Sequence, residues 1–201
     1  MTVSSYRLGD LVLLTLNENE KNDILKDYPN SIGSKYILER KNNSCSSIDL
    51  VTKIVMENIE KNVDLLPKNI TESTVIHLRL GDVVAGNKWD ETVKRPLKVS
   101  YIKSLLADDL NPKYIIGTCY FCKTSSTNYK ECISASNEYL QNAINELKAE
   151  HFKSGNADID LYCAVKSKLF IQGKGYYSKL IVEIRKKLNL PCIETTVCDS
   201  S

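Results

Sequence analysis

One segment decides the fold of this 201-residue chain: Val75-Ile76-His77-Leu78-Arg79-Leu80-Gly81-Asp82. A short apolar run that ends in a glycine turn is typical of a buried strand in a parallel sheet. In open α/β sheets, ligands bind just beyond the carboxyl ends of the strands. Because side chains alternate along a strand, His77 and Arg79 are predicted to point to the same side at that edge.

Segments of strand and helix character alternate along the rest of the chain, which predicts an α/β protein. Strands are expected at residues 10–16, 74–80, 113–121, 168–172 and 192–196, and helices at residues 20–28, 46–62, 99–110, 135–150, from 160 onward and 177–188. The predicted architecture is a Rossmann-like open sheet with helices on both faces. A boundary near Pro67 divides a reduced N-terminal portion, residues 1–70, from a larger domain, residues 71–201.

The composition narrows the function classes. The chain is 42% hydrophobic and 26% charged, as globular proteins are. Its net charge of +2 and pI of about 8.1 fall short of the basic surface of a dedicated nucleic-acid binder. No basic leader precedes the first apolar run, and that run is far shorter than the about 20 residues that span a bilayer. A cytoplasmic protein without a membrane span is therefore expected, and its seven cysteines are expected to be reduced.

A second segment, Gly173-Lys174-Gly175-Tyr176-Tyr177-Ser178, lies between a predicted strand and a predicted helix. A glycine turn at a helix start directs backbone N–H groups and the positive end of the helix dipole at a phosphate. The guanidinium of Arg79 suits a pyrophosphate, because it can donate two parallel hydrogen bonds. Structural alternatives are open for each residue: an ion pair between Arg79 and Asp82, a half-buried His77, and Ser178 as a helix N-cap.

Other residues that could bind a metal ion or an anion also have simpler, structural interpretations. Asp158-Ile159-Asp160 could hold a divalent ion, but acidic residues are also favoured at a helix start. Cys119, Cys122 and Cys132 lack the second Cys pair or His that completes a zinc site. The run Arg185-Lys186-Lys187 is interpreted as the solvated face of a helix end.

The segment His77-Leu78-Arg79-Leu80-Gly81-Asp82 resembles the His-x-Arg-Arg-Gly-Asp-like signature of the GDP-fucose-dependent fucosyltransferases of the α1,2/α1,6 type and their protein O-fucosyltransferase relatives. The stretch from Asp160 to Ser178 is similar to a later family segment, in which an Asp is followed by a short helix, a strand and a turn into another helix. The resemblance spans residues 75–193, and Leu80 stands where the family has its second Arg. It implies the donor lobe of the two-lobed GT-B fold, with residues 1–70 on the acceptor side.

By this resemblance, Arg79 would bind the donor diphosphate, and His77 and Asp160 would face the nucleotide base. The phosphate site would be completed by the turn after the later strand, at Gly173, Gly175, Tyr177 and Ser178. The donor would be GDP-fucose or a related nucleotide 6-deoxyhexose, and the acceptor a glycan or glycoprotein. No metal ion or cofactor is expected, because family members have the fold without a bound metal and the nucleotide sugar is a substrate.

An inverting transfer also needs a general base within hydrogen-bond reach of the acceptor hydroxyl. The loop between Asp82 and Pro96 offers Asp82, Asp90 and Glu91 as candidates, with Trp89 beside them as a flat face for a sugar ring. Two alternatives stay open. One is a nucleotide-binding or scaffolding module that kept the fold and lost the chemistry, and the other is a metal-dependent GT-A transferase that uses Asp158 and Asp160.

Overall fold

A computed structural model gives the fold and describes residues 46–81, 84, 96–106, 109–117 and 129–195. The described strands are β1 Thr74–His77, β2 Lys113–Ile116, β3 Glu150–His151, β4 Leu169–Ile171 and β5 Cys192–Ile193. The described helices are α1 Ser46–Lys61, α2 Val99–Leu105, α3 Tyr129–Leu147, α4 Ala157–Lys166 and α5 Tyr176–Lys187, with short 3-10 turns at Val63–Leu65 and Ile70–Glu72. The strand and the helix expected within residues 1–45 lie outside the described residues.

The five strands form one parallel sheet in the order β3-β2-β1-β4-β5. Each pair of successive strands is joined through a helix, as parallel pairing requires. From β1 the chain moves outward through β2 to β3, and it then returns to the other side of β1 to form β4 and β5. The strand order therefore reverses between β1 and β4, which is the topological switch point where open α/β sheets bind ligands. The predicted Rossmann-like open sheet is confirmed.

Alternate residues of the strands enter two hydrophobic cores, one on each face of the sheet. Val75, Ile116 and Phe170 pack with α1, α4 and α5. Their neighbours Ile76, Ile115 and Ile171 pack with α2 and α3 on the opposite face. These six side chains are fully buried, and burying one of this size stabilises the fold by about 1.5–3 kcal/mol. Helices on both faces, as predicted, follow from strands that are apolar on both sides.

Several element ends differ from the predictions, for local reasons. Strand β1 ends at His77 because its neighbour β2 turns away at Gly117, whose φ is +87°. Helix α2 stops at Leu105, and Asp109 beyond it accepts hydrogen bonds from the Asn111 backbone N–H and the Thr74 hydroxyl. Such local bonding of an Asp competes with helix.

Helices α3 and α4 both begin earlier than predicted. Helix α3 starts at Tyr129 rather than at residue 135. Helix α4 starts at Ala157, because the Asn156 side chain accepts a hydrogen bond from the Asp158 N–H at 2.9 Å and so serves as the N-cap.

Arg185 corrects the prediction of a solvated basic run, because its side chain is fully buried. The guanidinium donates to the backbone carbonyls of Ala164, Val165, Ser167, Lys168 and Pro191. It thereby satisfies carbonyls at the end of α4 and fixes the entry into β4 and β5. Lys186 and Lys187 are exposed as predicted, in ion pairs with Glu194 and Asp49.

Of the cysteines that the structure describes, one departs from the expected reduced state and two agree with it. Cys132 is disulfide-bonded, so the prediction of a reduced thiol is wrong at this position. Cys163 and Cys192 are free, and burial raises the pKa of both thiols. Among the helices of the described ranges, none has the length and apolar character that crossing a bilayer would need.

Candidate functional site

The candidate site lies at the switch point, where the segments that follow β1 and β4 come together. A small pocket with a cavity volume of about 10 Å³ opens there, lined among others by His77, Arg79, Leu97, Tyr139, Gly173 and Lys174. The volume enclosed by the described residues is far below the roughly 300–1,000 Å³ of small-molecule sites. The pocket nevertheless brings together the two segments that the sequence singled out, residues 75–82 and 173–178.

His77, the last residue of β1, is almost completely buried beside this pocket, with 5% of its surface exposed. Burial, and then the charge of Arg79, lower its pKa from 6.5 to about 3, so the imidazole is neutral near pH 7. Its Nδ1 is buried, and among the described residues it has no hydrogen-bond partner. Its ring centroid lies 5.4 Å from that of Tyr177 on α5. A neutral imidazole at this position can form one hydrogen bond with a ligand, but it carries no positive charge that would attract a diphosphate.

Two glycines make room for the His77 ring. A Cβ built on Gly117, after β2, would lie 2.6 Å from Nε2 of His77. A Cβ on Gly173, after β4, would collide with Nδ1 and the backbone carbonyl oxygen of the same residue. Gly173 therefore has a packing role against β1, and its expected contact with a phosphate stays a prediction.

Asp160 lies in the first turn of α4 and braces the turn after β2. One carboxylate oxygen accepts a hydrogen bond from the Ser154 hydroxyl, and the other accepts from the Gly117 N–H at 3.3 Å. Burial raises the pKa of this carboxyl group, and the two hydrogen bonds act in the opposite direction. Asp160 is thus connected to the His77 ring through Gly117. Its expected contact with the nucleotide base of the donor stays a prediction.

The described residues offer no further ligand for a metal ion at Asp158 and Asp160. Within the part of the chain that the structure describes, no three His, Cys, Asp or Glu side chains are grouped so that they could hold a metal ion. Asp158 follows the N-cap Asn156 in the first turn of α4, where an acidic side chain interacts favourably with the helix dipole.

Within the described part of the chain, no side chain caps the start of helix α5. Its N-cap is Gly175, with φ +100° and ψ 167°, rather than Ser178, which corrects one of the alternatives considered for that serine. Ser178 is buried inside the first turn, and its hydroxyl has no hydrogen-bond partner among the residues that the structure describes. The N–H groups at an uncapped helix start are available to an anion.

Tyr177 ties the starts of two helices together. Its hydroxyl donates to the carbonyl oxygen of Ala157, the first residue of α4. This contact gives Tyr177 a structural role, and its expected part in donor binding stays a prediction.

Arg79 lies against the start of α5, and the phosphate site that it is expected to share with this turn stays a prediction. A Cβ built on Gly175 would lie 2.9 Å from Nη1 of Arg79. Lys174, between the two glycines of the turn, also lines the pocket, and sequence reasoning did not single it out. The position of Lys174 inside a glycine turn at a helix start is the sequence feature that could have identified it as a candidate site residue. Two cationic side chains thus line one pocket, beside the helix start.

The far wall of the pocket comes from α3 and the segment before α2. The Tyr139 hydroxyl donates to the Leu97 carbonyl oxygen at 2.6 Å. Burial raises the pKa of Tyr139 to about 12, so the hydroxyl stays protonated. The predicted general bases Asp82, Asp90 and Glu91 lie outside the described residues, and their role stays a prediction.

Fold and site together define an α/β protein with an open parallel sheet and a cationic pocket at its switch point. A scan of the chain against protein-family models finds no match. A search among curated proteins also finds no match.

Proposed function

We propose that this chain binds a nucleoside diphosphate sugar at the switch point and transfers the sugar to an acceptor. The observation that carries the proposal is the placement of the Arg79 guanidinium against the uncapped start of α5. Lys174 adds a second positive charge to the same pocket. A diphosphate is the ligand for which two cations and a helix N-terminus offer complementary charge and hydrogen bonds.

The same groups suit the chemistry of the transfer. In an inverting reaction a base removes the proton of the acceptor hydroxyl, whose oxygen attacks the anomeric carbon. The bond from that carbon to the diphosphate oxygen breaks, and the diphosphate leaves with the electron pair. Arg79 and Lys174 would stabilise the charge that develops on the leaving group. Asp82, Asp90 or Glu91 would supply the base.

The resemblance of residues 77–82 to the fucosyltransferase signature supports GDP-fucose, or a related nucleotide 6-deoxyhexose, as the donor. On this proposal residues 71–201 correspond to the donor lobe of a metal-independent GT-B transferase. Residues 1–70 contribute to the side that binds the glycan or glycoprotein acceptor. The protein would act in the cytoplasm.

A binding module without turnover is the second candidate, and one feature of the site favours it. The pocket walls formed by the described residues carry no carboxylate, and the nearby Asp160 is engaged by Ser154 and Gly117. The two functions differ in whether nucleoside diphosphate is released.

The test combines binding and turnover on the full chain. A ligand that binds only the folded state raises the melting temperature, so GDP, UDP and their sugars are compared by thermal shift. The same sugars are then incubated with the protein and acceptor glycans, and released nucleoside diphosphate is measured. The transferase proposal predicts stabilisation by GDP and release of GDP from GDP-fucose. Stabilisation without release identifies the binding module, and no stabilisation by any nucleotide contradicts both.

A further inference from the structure

We propose that Gly175 is a positioning residue: the bare Cα at the start of α5 lets the Arg79 guanidinium lie against the helix, oriented for an anion. The functional part of this inference rests on the proposed nucleotide site. The contact itself does not, and the two parts are tested separately.

The backbone at Gly175 admits no other residue without strain. Its φ of +100° and ψ of 167° lie in a region that is essentially restricted to glycine. Gly155 also has a positive φ, +69°, but a Cβ there would meet no atom of the described residues within 4 Å. Strain alone would therefore explain a glycine at either position, and what distinguishes Gly175 is its neighbour.

That neighbour is the functional end of Arg79. A Cβ on Gly175 would lie 2.9 Å from Nη1, 3.6 Å from Cδ and 3.8 Å from Cζ of the arginine. The nearest atoms thus belong to a single side chain, and the closest one is at its flexible end. A methyl group at Gly175 would therefore displace the guanidinium, in addition to straining the backbone at the helix start.

The consequence for function is preorganisation. The Nε of Arg79 is buried and the side chain is half-buried, so part of its rotamer freedom is already lost before a ligand arrives. A guanidinium held in one orientation can direct two N–H groups at a phosphate, and a displaced one cannot. Gly175 would then act on the ligand through Arg79 rather than by direct contact.

The contact is tested first, without reference to function. The Nε–H signal of Arg79 is assigned in the ¹⁵N spectrum of the full chain by its loss in Arg79→Ala. The inference predicts that Gly175→Ala shifts this signal and that the control Gly155→Ala does not. An unmoved signal in a folded Gly175→Ala protein would overturn the inference.

The functional part is tested by a double-mutant cycle with GDP as the probe. Gly175→Ala should weaken GDP binding about tenfold or more in the native background, as expected for a lost hydrogen bond to a charged group. In the Arg79→Ala background the same change should cost nothing further, because the side chain that the methyl group displaces is absent there. Equal losses in both backgrounds would show that the glycine acts on the helix start itself, which overturns the inference. If the native chain does not bind GDP, the nucleotide proposal fails, and the spectroscopic test alone decides on the contact.

Discussion

His77 allows a prediction of how acid affects the fold. The imidazole has a pKa of about 3 in the folded protein against an ordinary value of 6.5, mainly because it is buried. A base whose pKa is lowered by folding binds more protons in the unfolded chain between these two values. Stability contributed by neutral His77 is therefore complete above pH 6.5 and is lost as the pH falls toward 3.

The size of the effect follows from the same two values. Between about pH 7.5 and about pH 5 the His77 contribution to the free energy of unfolding should fall by roughly 2 kcal/mol, at about 1.36 kcal/mol per unit of pH below 6.5. A change of that size is a large fraction of the 5–15 kcal/mol typical of a folded domain. Asp160, whose pKa is raised by burial, opposes the trend, so the comparison must be made between variants.

The assay is urea unfolding of the native protein, His77→Gln and His151→Gln at both pH values. On acidification, the free energy of unfolding should fall more for the native protein and for His151→Gln than for His77→Gln. Half-buried His151 also has a lowered pKa, so its own contribution to the pH dependence has the same sign but is only partial. Since the chain contains two histidines, NMR also allows a direct titration of the native protein. A His77 ring that titrates near pH 6.5 would refute the reasoning.

Three further predictions follow from other parts of the structure. Arg185→Met should lower the free energy of unfolding by about 3–5 kcal/mol, because buried carbonyls lose their donor, whereas Lys186→Met should change it by less than about 1 kcal/mol. Urea unfolding measures both, and equal effects would contradict the buried role of Arg185. Gly117→Ala should cost about 2–4 kcal/mol, since its Cβ would lie 2.7 Å from the Leu78 carbonyl oxygen, against about 1 kcal/mol for the unobstructed Gly155→Ala. Chelation with EDTA should leave any transfer activity unchanged, and recovery of lost activity on adding manganese would instead favour the metal-dependent interpretation of Asp158 and Asp160.

The sheet was predictable because its signal is local. Val75, Ile76 and their counterparts in β2 and β4 make these strands apolar on both faces, and such strands alternating with helices favour a parallel sheet covered by helices on both sides. The convergence of Arg79 with the turn near Gly175 was also predictable, because both follow strands and the carboxyl ends of parallel strands lie at one edge.

What the sequence did not reveal depends on contacts between distant segments. The basic neighbours of Arg185 predict a solvated side chain, yet Arg185 lies four residues after Ile181 on the apolar face of α5. It donates hydrogen bonds to carbonyls of α4 and of Pro191, just before β5. Ser178 looks like an N-cap, but the glycine three residues before it starts the helix. The roles of Gly117 and Gly173 follow from the position of the His77 ring, which no local pattern encodes.

The most direct test of the proposed donor site is calorimetric titration of GDP into the native protein, Arg79→Ala and Lys103→Ala. Lys103 is an exposed lysine on α2, paired with Glu146 at 2.8 Å, so its replacement removes one positive charge outside the pocket lining. Losing a charge-assisted contact to a bound anion should cost about 2–5 kcal/mol, or roughly 30-fold or more in affinity. We predict that Arg79→Ala loses at least that much while it remains folded, and that Lys103→Ala binds GDP as the native protein does. A folded Arg79→Ala protein that binds GDP with native affinity would contradict the account.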